Sequence, residues 1–371
     1  MATEIKPVDP SAKYIPELDG VRALTIGAVF LHHISTHWRS CLGPFAQAAV
    51  FGWVGVDVFF LLSGFLITAI LLRAKPGLQA LKDFYVKRAL RIWPLYYVLL
   101  GLMCLEILVY RKSYPVGLSV IFLQNFLPSW PALGTFNQTW SLCVEEHFYL
   151  LWPLAVFFLP RRILPGVLVA VLCLSPVLRW YAIDHGIAPK LLYTASPFRF
   201  DSIALGSLIA FFTTKGTLSL NMMRRVGPAA AILGASLVTW IFLHQDEWGQ
   251  LSVFVYSWLA LASGGILLIA LAFRNGAVGA FLRWSPLRYI GKISYGLYML
   301  HPFVFGYIAL KMKGSAGLAV ALLISFVAAM SSWHFMETPI LRLKNRLTGT
   351  HRNPRGTVSI AANVENTLAV R

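Results

Sequence analysis

Charge is what this chain has least of. Asp, Glu, Lys and Arg make up 13% of its 371 residues, where a soluble domain carries about a quarter, and this excludes an ordinary water-soluble globule. Acidic residues are the scarcer sign, 15 against 32 Lys and Arg, for a formal charge of +17. The four cysteines (Cys41, Cys104, Cys143, Cys173) stand singly with no CxxC pair, so neither a disulfide framework nor a zinc site is expected. The opening MATEIKPVDPSAKYIPELDG lacks the basic, apolar and cleavage regions of a signal peptide, and the N-terminus is expected to stay in the cytoplasm. No internal repeat of the kind found in many transporters is visible.

Apolar side chains are what is abundant, at 57%. Runs close to the ~20 residues that a spanning helix needs recur along nearly the whole length. The pattern predicts an all-α, polytopic transmembrane bundle of about ten spanning helices, near 21–40, 49–72, 92–110, 141–159, 163–182, 198–214, 227–244, 251–273, 289–310 and 316–337. The run SVIFLQNF, 119–126, is too short to span and is expected to be a re-entrant or interfacial piece. Ten spans with both termini inside place most of the 32 basic residues in cytoplasmic connections, so the basic excess reads as membrane topology rather than nucleic-acid binding. The expected organisation is a cytoplasmic tail at 1–13, a membrane-embedded domain at 14–345 and a disordered cytoplasmic tail at 346–371, with no soluble catalytic domain.

Charged side chains at membrane depth cost at least ~2.5–3.5 kcal/mol each, so those that persist tend to face the bundle interior. In VRALTIGAVFLHHIS, Arg22 and His33 return to within ~20° of one helical face after a rise of ~16 Å, whereas His32 points ~100° away from His33. GWVGVDVFFLLSGFLIT carries Asp57 alone among apolar residues, with Gly52, Gly55, Ser63 and Gly64 small enough for close helix contact. An imidazole on one helix and a carboxylate on the next could form the orienting pair that general bases use. In KDFYVKRALRIWPLYY, Arg88 and Arg91 are one turn apart at the expected start of the third helix, a spacing that suits a phosphate-bearing ligand arriving from the cytoplasm. Lys82 and Lys87 are explained by topology alone. QTWSLCVEEHFYLLWP offers two readings: Ser141 as an N-cap with Glu145 and Glu146 in the first turn, or two carboxylates and His147 poised for proton chemistry beside an apolar run. Aromatic residues, 14% of the chain, are read mostly as lipid-facing belts and packing.

Taken together, ELDGVRALTIGAVFLHH, GVDVFFLLSGFLIT, FYVKRALRIWPLYY, QTWSLCVEEHFYLLWP, FRFDSIALGSLIA, ISYGLYMLHPFVF and METP resemble acyltransferase family 3, polytopic membrane O-acyltransferases that modify cell-surface glycans and some secondary metabolites. The resemblance covers about residues 14–345. It singles out His33 over His32 as general base, oriented by Asp57 or Glu145. It also implies Arg22, Arg88 and Arg91 as the hold on an acyl-CoA, most simply acetyl-CoA, and Trp140, Ser141, Glu146, His147, Arg199 and Asp201 as substrate-site residues. His147 stands where the family commonly has glutamine. Ser294, Tyr298 and His301 are secondary candidates. The implied acceptor is a hydroxyl of a surface glycan, a lipid-linked oligosaccharide or a secreted metabolite, with the 111–139 segment expected to border its site and some aromatic rings available to a sugar; the implied location is the bacterial cytoplasmic membrane, among its lipids. Direct transfer is expected rather than an acyl-enzyme. The rival reading is a transporter or flippase of glycan or lipid without acyl transfer.

Overall fold

The computed structural model describes residues 14–110, 114, 116–128, 134–243 and 253–347. The tail expected at 1–13, and all but the first two residues of that expected at 346–371, lie outside the described residues. Among the described residues every regular element is helical. Continuous apolar sequence explains this, because a segment that cannot bond water must satisfy its backbone within itself. Ten helices are long: α1 (Pro16–His37), α2 (Gly55–Arg73), α3 (Leu78–Tyr110), α4 (Trp140–Phe158), α5 (Leu164–Asp184), α6 (Phe200–Thr214), α7 (Leu220–Leu243), α8 (Val255–Ala272), α9 (Ser294–Lys311) and α10 (Gly314–Ser332).

Each of the ten expected segments therefore contains a helix, but length and composition do not make ten spans of them. Six stretches are long and apolar enough to cross a membrane: Arg39–Arg73, Leu78–Val109, Leu164–Asp184, Leu220–Leu243, Val255–Ala272 and Gly314–Leu343. A seventh is reached if Ser285–Lys292 and α9, bent by 68°, count as one. The remaining three differ for physical reasons: α6 has only 15 residues, while α1 and α4 hold the charged and imidazole groups of the interior. Boundaries differ too. α3 begins at Leu78, so KDFYVKR is helix rather than connection, and the last helix gives way to a π-turn at Trp333–Glu337.

α3, α5, α7 and α10 present many apolar side chains outward, whereas α1, α2, α4, α6 and α9 are the more buried. Small residues let the inner helices touch backbone to backbone, as expected for Gly52, Gly55 and Gly64. A Cβ on Gly64 would collide with the Ile203 carbonyl oxygen of α6, and one on Gly206 with the Leu61 carbonyl oxygen of α2; Gly52 sits equally close to the Ala28 carbonyl oxygen of α1. The Trp152 indole on α4 donates to the Thr68 hydroxyl on α2 at 2.7 Å. The 119–126 run is a short helix (Val116–Val120), a turn with Phe122 at φ 59°, and a 3-10 turn at Gln124–Phe126. It folds into the bundle: Asn125 Nδ2 donates to the Thr194 carbonyl at 3.1 Å and to Ser196 Oγ at 2.9 Å.

Replacing Gly64 by leucine must push α2 and α6 apart. We expect a loss of at least about 1–3 kcal/mol, read as a lower melting temperature of the purified protein in detergent and less folded protein in membranes. Unchanged melting would contradict the contact.

Candidate functional site

Two cavities lie one beyond the other along α1. The first, with about 690 Å³ of empty space, is lined by Arg22, Arg88, Arg91, Glu145, Ser141 and Tyr298 among others. Three helices supply its charge: α1 brings Arg22, α3 brings Arg88 and Arg91, α4 brings Glu145. Glu145 Oε1 accepts the Ser63 hydroxyl at 2.6 Å, and Arg88 lies over the Tyr149 ring, 5.0 Å from its centroid. Among the described residues none of the three arginines makes an ion pair within 4.0 Å, and Arg22 Nε is buried without a hydrogen-bond partner. Glu145 is the only carboxylate among the described residues that line the cavity; Glu337 and Glu146 lie close enough to act on Arg91 and Arg88 from outside it, so the lining itself is cationic and suits an anion with several oxygens.

The second cavity, with about 1160 Å³ of empty space, is lined by His32, His33, His37, Trp53, Trp140 and Tyr193, with Asn137, Gln138, Val56 and Tyr298. Val56 and Tyr298 line both cavities. The Tyr298 hydroxyl is 2.6 Å from Ser141 Oγ and 3.0 Å from the Gln138 carbonyl, so α9 and α4 meet at the partition. His33 Nδ1 lies 2.9 Å from the Val29 carbonyl and 3.3 Å from His301 Nε2. His32 Nδ1 is 2.7 Å from the Val50 carbonyl. Carbonyl oxygens only accept, so both rings carry their proton on Nδ1 and keep Nε2 as a lone pair.

The predicted orienting carboxylates are elsewhere. Asp57 Oδ2 accepts Arg199 Nη2 at 2.9 Å and Oδ1 accepts the Ser202 hydroxyl at 3.0 Å, so its bonds tie α2 to Arg199 and α6 rather than to His33. Glu145 belongs to the arginine cavity. Arg199 is fully buried and boxed by rings, with the Tyr256 centroid at 3.7 Å and those of Trp140 and Tyr193 at 5.3 Å. Asp201 is gripped by Arg179 through two bonds, at 3.1 and 2.8 Å, and accepts the Ser257 hydroxyl at 2.8 Å. Arg179 also donates to the carbonyls of Val253 and Phe198, at 2.6 and 2.5 Å. These two ion pairs clamp α6 between α2 and α5.

The QTWSLCVEEHF motif divides between faces. Trp140 lines the histidine cavity and Ser141 the arginine cavity. Ser141 is no N-cap: α4 starts at Trp140, with Thr139 at the cap position, and the serine hydroxyl donates to the Gln138 carbonyl at 3.1 Å. Glu146 and His147 line neither cavity; Glu146 Oε2 accepts the Trp93 indole at 3.1 Å, and His147 Nδ1 is 2.6 Å from Ser196 Oγ. Ser294 and Tyr298 line the arginine cavity, whereas His301 is fully buried behind His33. Sequence reasoning missed Asn137 and Gln138, whose side-chain carbonyl oxygens are buried without partners at the histidine cavity. Their signal was the polar FNQT step just before α4, inside the 111–139 segment expected to border the acceptor. Among the described residues no group of three His, Cys, Asp or Glu could hold a metal ion.

The sequence model of the acyltransferase domain matches residues 15–334. Curated relatives include the O-acetyltransferase OatA of Staphylococcus aureus, 27% identical over 89% of this chain and 58% of its own length. The peptidoglycan O-acetyltransferase OatA of Listeria monocytogenes is 28% identical over 89% and 56%, and the putative peptidoglycan O-acetyltransferase YrhL of Bacillus subtilis 26% over 88% and 55%. The chain thus spans little more than half the length of the curated relatives it matches. No solved structure matches it.

The ion-pair geometry makes Asp57 a residue of the fold. Asp57→Ala leaves Arg199 buried and uncompensated, which costs ~3–5 kcal/mol, whereas Asp57→Leu combined with Arg199→Met should recover much of that loss. Melting of the purified variants in detergent checks this; a single variant as stable as the parent chain would contradict it.

Proposed function

The chain belongs to the acyltransferase domain family, and on that premise we propose that it moves an acetyl group from coenzyme A to a hydroxyl of an envelope glycan. The observation that carries this reading is the pair of cavities sharing Val56 and Tyr298, one lined by arginines that make no ion pair within 4.0 Å among the described residues and the other by histidines. Arg22, Arg88 and Arg91 hold the donor's phosphates by charge-assisted hydrogen bonds. The flexible pantetheine arm reaches along α1, over which Arg22 and His33 are ~16 Å apart in rise, to bring the thioester to the partition. The acceptor enters the histidine cavity, where the unpartnered carbonyls of Asn137 and Gln138 suit hydroxyl donors and the rings of Trp53, Trp140 and Tyr193 suit a sugar face.

His33 Nε2 is the general base. The hydroxyl oxygen attacks the thioester carbonyl as its proton passes to Nε2, and the carbon–sulfur bond then breaks. The departing thiolate takes that proton back, leaving an ester and free coenzyme A. The Tyr298 hydroxyl stands at the partition and can turn from the Gln138 carbonyl, 3.0 Å away, to donate to the developing oxyanion. Glu145 offsets part of the arginine charge, while Asp57, Arg199 and Asp201 act only by holding the walls. A peptidoglycan strand is the acceptor that the relatives' names favour, and the reaction is placed in the bacterial cytoplasmic membrane.

Membranes containing the chain, given acetyl-labelled acetyl-CoA and peptidoglycan strands, should form labelled ester. His33→Ala should lower kcat by at least about 10²-fold, the scale of general-base catalysis. The Arg88→Ala, Arg91→Ala pair should chiefly raise the KM for acetyl-CoA, by ~10-fold or more for each charged hydrogen bond lost. Equal label transfer by the parent chain and His33→Ala would remove His33 as base; no transfer by the parent chain would overturn the acyltransfer reading.

A further inference from the structure

We infer that His301 is a positioning residue for His33, acting as the second ring of a two-histidine relay; this rests on His33 being the base. The tautomers follow from the backbone. His301 Nδ1 lies 2.8 Å from the Leu297 carbonyl of its own helix, an atom that can only accept, so the proton sits on Nδ1 and Nε2 is a lone pair. That lone pair is 3.3 Å from His33 Nδ1, which carries a proton because the Val29 carbonyl, at 2.9 Å, demands one. The His33 Nδ1–H is therefore shared between a carbonyl on α1 and an imidazole on α9. His33 Nε2 is left free on a ring that lines the cavity.

The pair separates His33 from its neighbour. His32 has the same tautomer and lines the same cavity, but its Nδ1–H meets only the Val50 carbonyl. When a base takes a proton it becomes an imidazolium, and both N–H groups then need acceptors. His33 has a second one in His301 Nε2, a polarisable lone pair that shares the charge; among the described residues His32 has no acceptor at that nitrogen beyond the carbonyl. His301 is held for this task. It is fully buried, 4.7 Å from the Phe30 ring and 5.5 Å from Phe305 between centroids, and crosses His33 at 82° with centroids 4.7 Å apart. An apolar wall around a neutral ring keeps water from competing for its one lone pair. Once the thiolate removes the proton from His33 Nε2, both rings return to their starting tautomers, so the relay consumes nothing.

The test uses the full chain in membranes, with acetyl-labelled acetyl-CoA, peptidoglycan strands and four variants beside the parent: His33→Ala, His301→Phe, His301→Gln and His301→Ala. Phenylalanine fills the space without an acceptor, whereas the glutamine amide oxygen can occupy the place of Nε2. His301→Phe should lower kcat by at least about 10²-fold with the KM for acetyl-CoA within threefold of the parent. His301→Gln should stay within about tenfold of the parent, and added imidazole should restore part of the His301→Ala rate. Phenylalanine activity within threefold of the parent overturns the relay, as does a loss that neither glutamine nor imidazole relieves. A parent chain that transfers label only while His33 is intact shows the base reading standing, so the relay then fails alone.

Discussion

Guanidinium groups in a low-dielectric interior must be neutralised or reached by water or an anion, and this constraint divides the arginines of the bundle into two sets. Arg199 and Arg179 are charge-paired with Asp57 and Asp201, at 2.9 and 2.8 Å, and their pairs fasten α6 to α2 and α5. That clamp is what holds Trp140, Tyr193 and Tyr256 around Arg199, and with them one wall of the histidine cavity. Arg22, Arg88 and Arg91 form no such pairs among the described residues. They border open space instead. The first set builds the container and the second set gives it a binding charge.

α1 acts as the ruler of the site. A helix repeats its face every few residues, so one polar stripe can serve two chambers in succession. Arg22 lies at the first and His33 at the second, and Val56 and Tyr298 stand between them. Under the proposed function, such an arrangement separates a charged, phosphate-bearing donor from a sugar acceptor while leaving a narrow common boundary at which their reacting ends meet. Under the proposed acyl transfer it also suits a neutral imidazole, bonded to carbonyls and another imidazole, as the base: a carboxylate at that depth would need a cation of its own.

Much of this was legible in the sequence, and the limits have physical causes. Helical character and the inward stripe of Arg22 and His33 follow from apolar run length and the 3.6-residue repeat. The close contacts of Gly52 and Gly64 follow from their size. Arg88 and Arg91 sharing one surface follows from their spacing. What periodicity cannot carry is pairing between distant segments. Asp57 is the obvious lone carboxylate opposite His33 on the neighbouring helix, yet it turns to Arg199, which lies far along the chain, because an arginine buried in an aromatic box has greater need of it. His301 ranks only as a secondary candidate in the sequence, yet it is the group that touches His33. Length and composition mark six or seven spans rather than ten for a related reason: interior helices such as α1 and α4 carry polar groups that a lipid-facing helix could not, so hydropathy alone neither counts nor places them.

The central claim is that donor and acceptor approach from opposite ends of one path through the bundle. It is tested most directly in sealed proteoliposomes sorted by orientation, with acetyl-labelled acetyl-CoA on one side and glycan strands on the other. The account predicts ester formation only when acetyl-CoA is on the face bearing Arg88 and Arg91 and the glycan is on the face bearing His37. Equal transfer with the donor on the His37 face, or with both substrates confined to the arginine face, would contradict it.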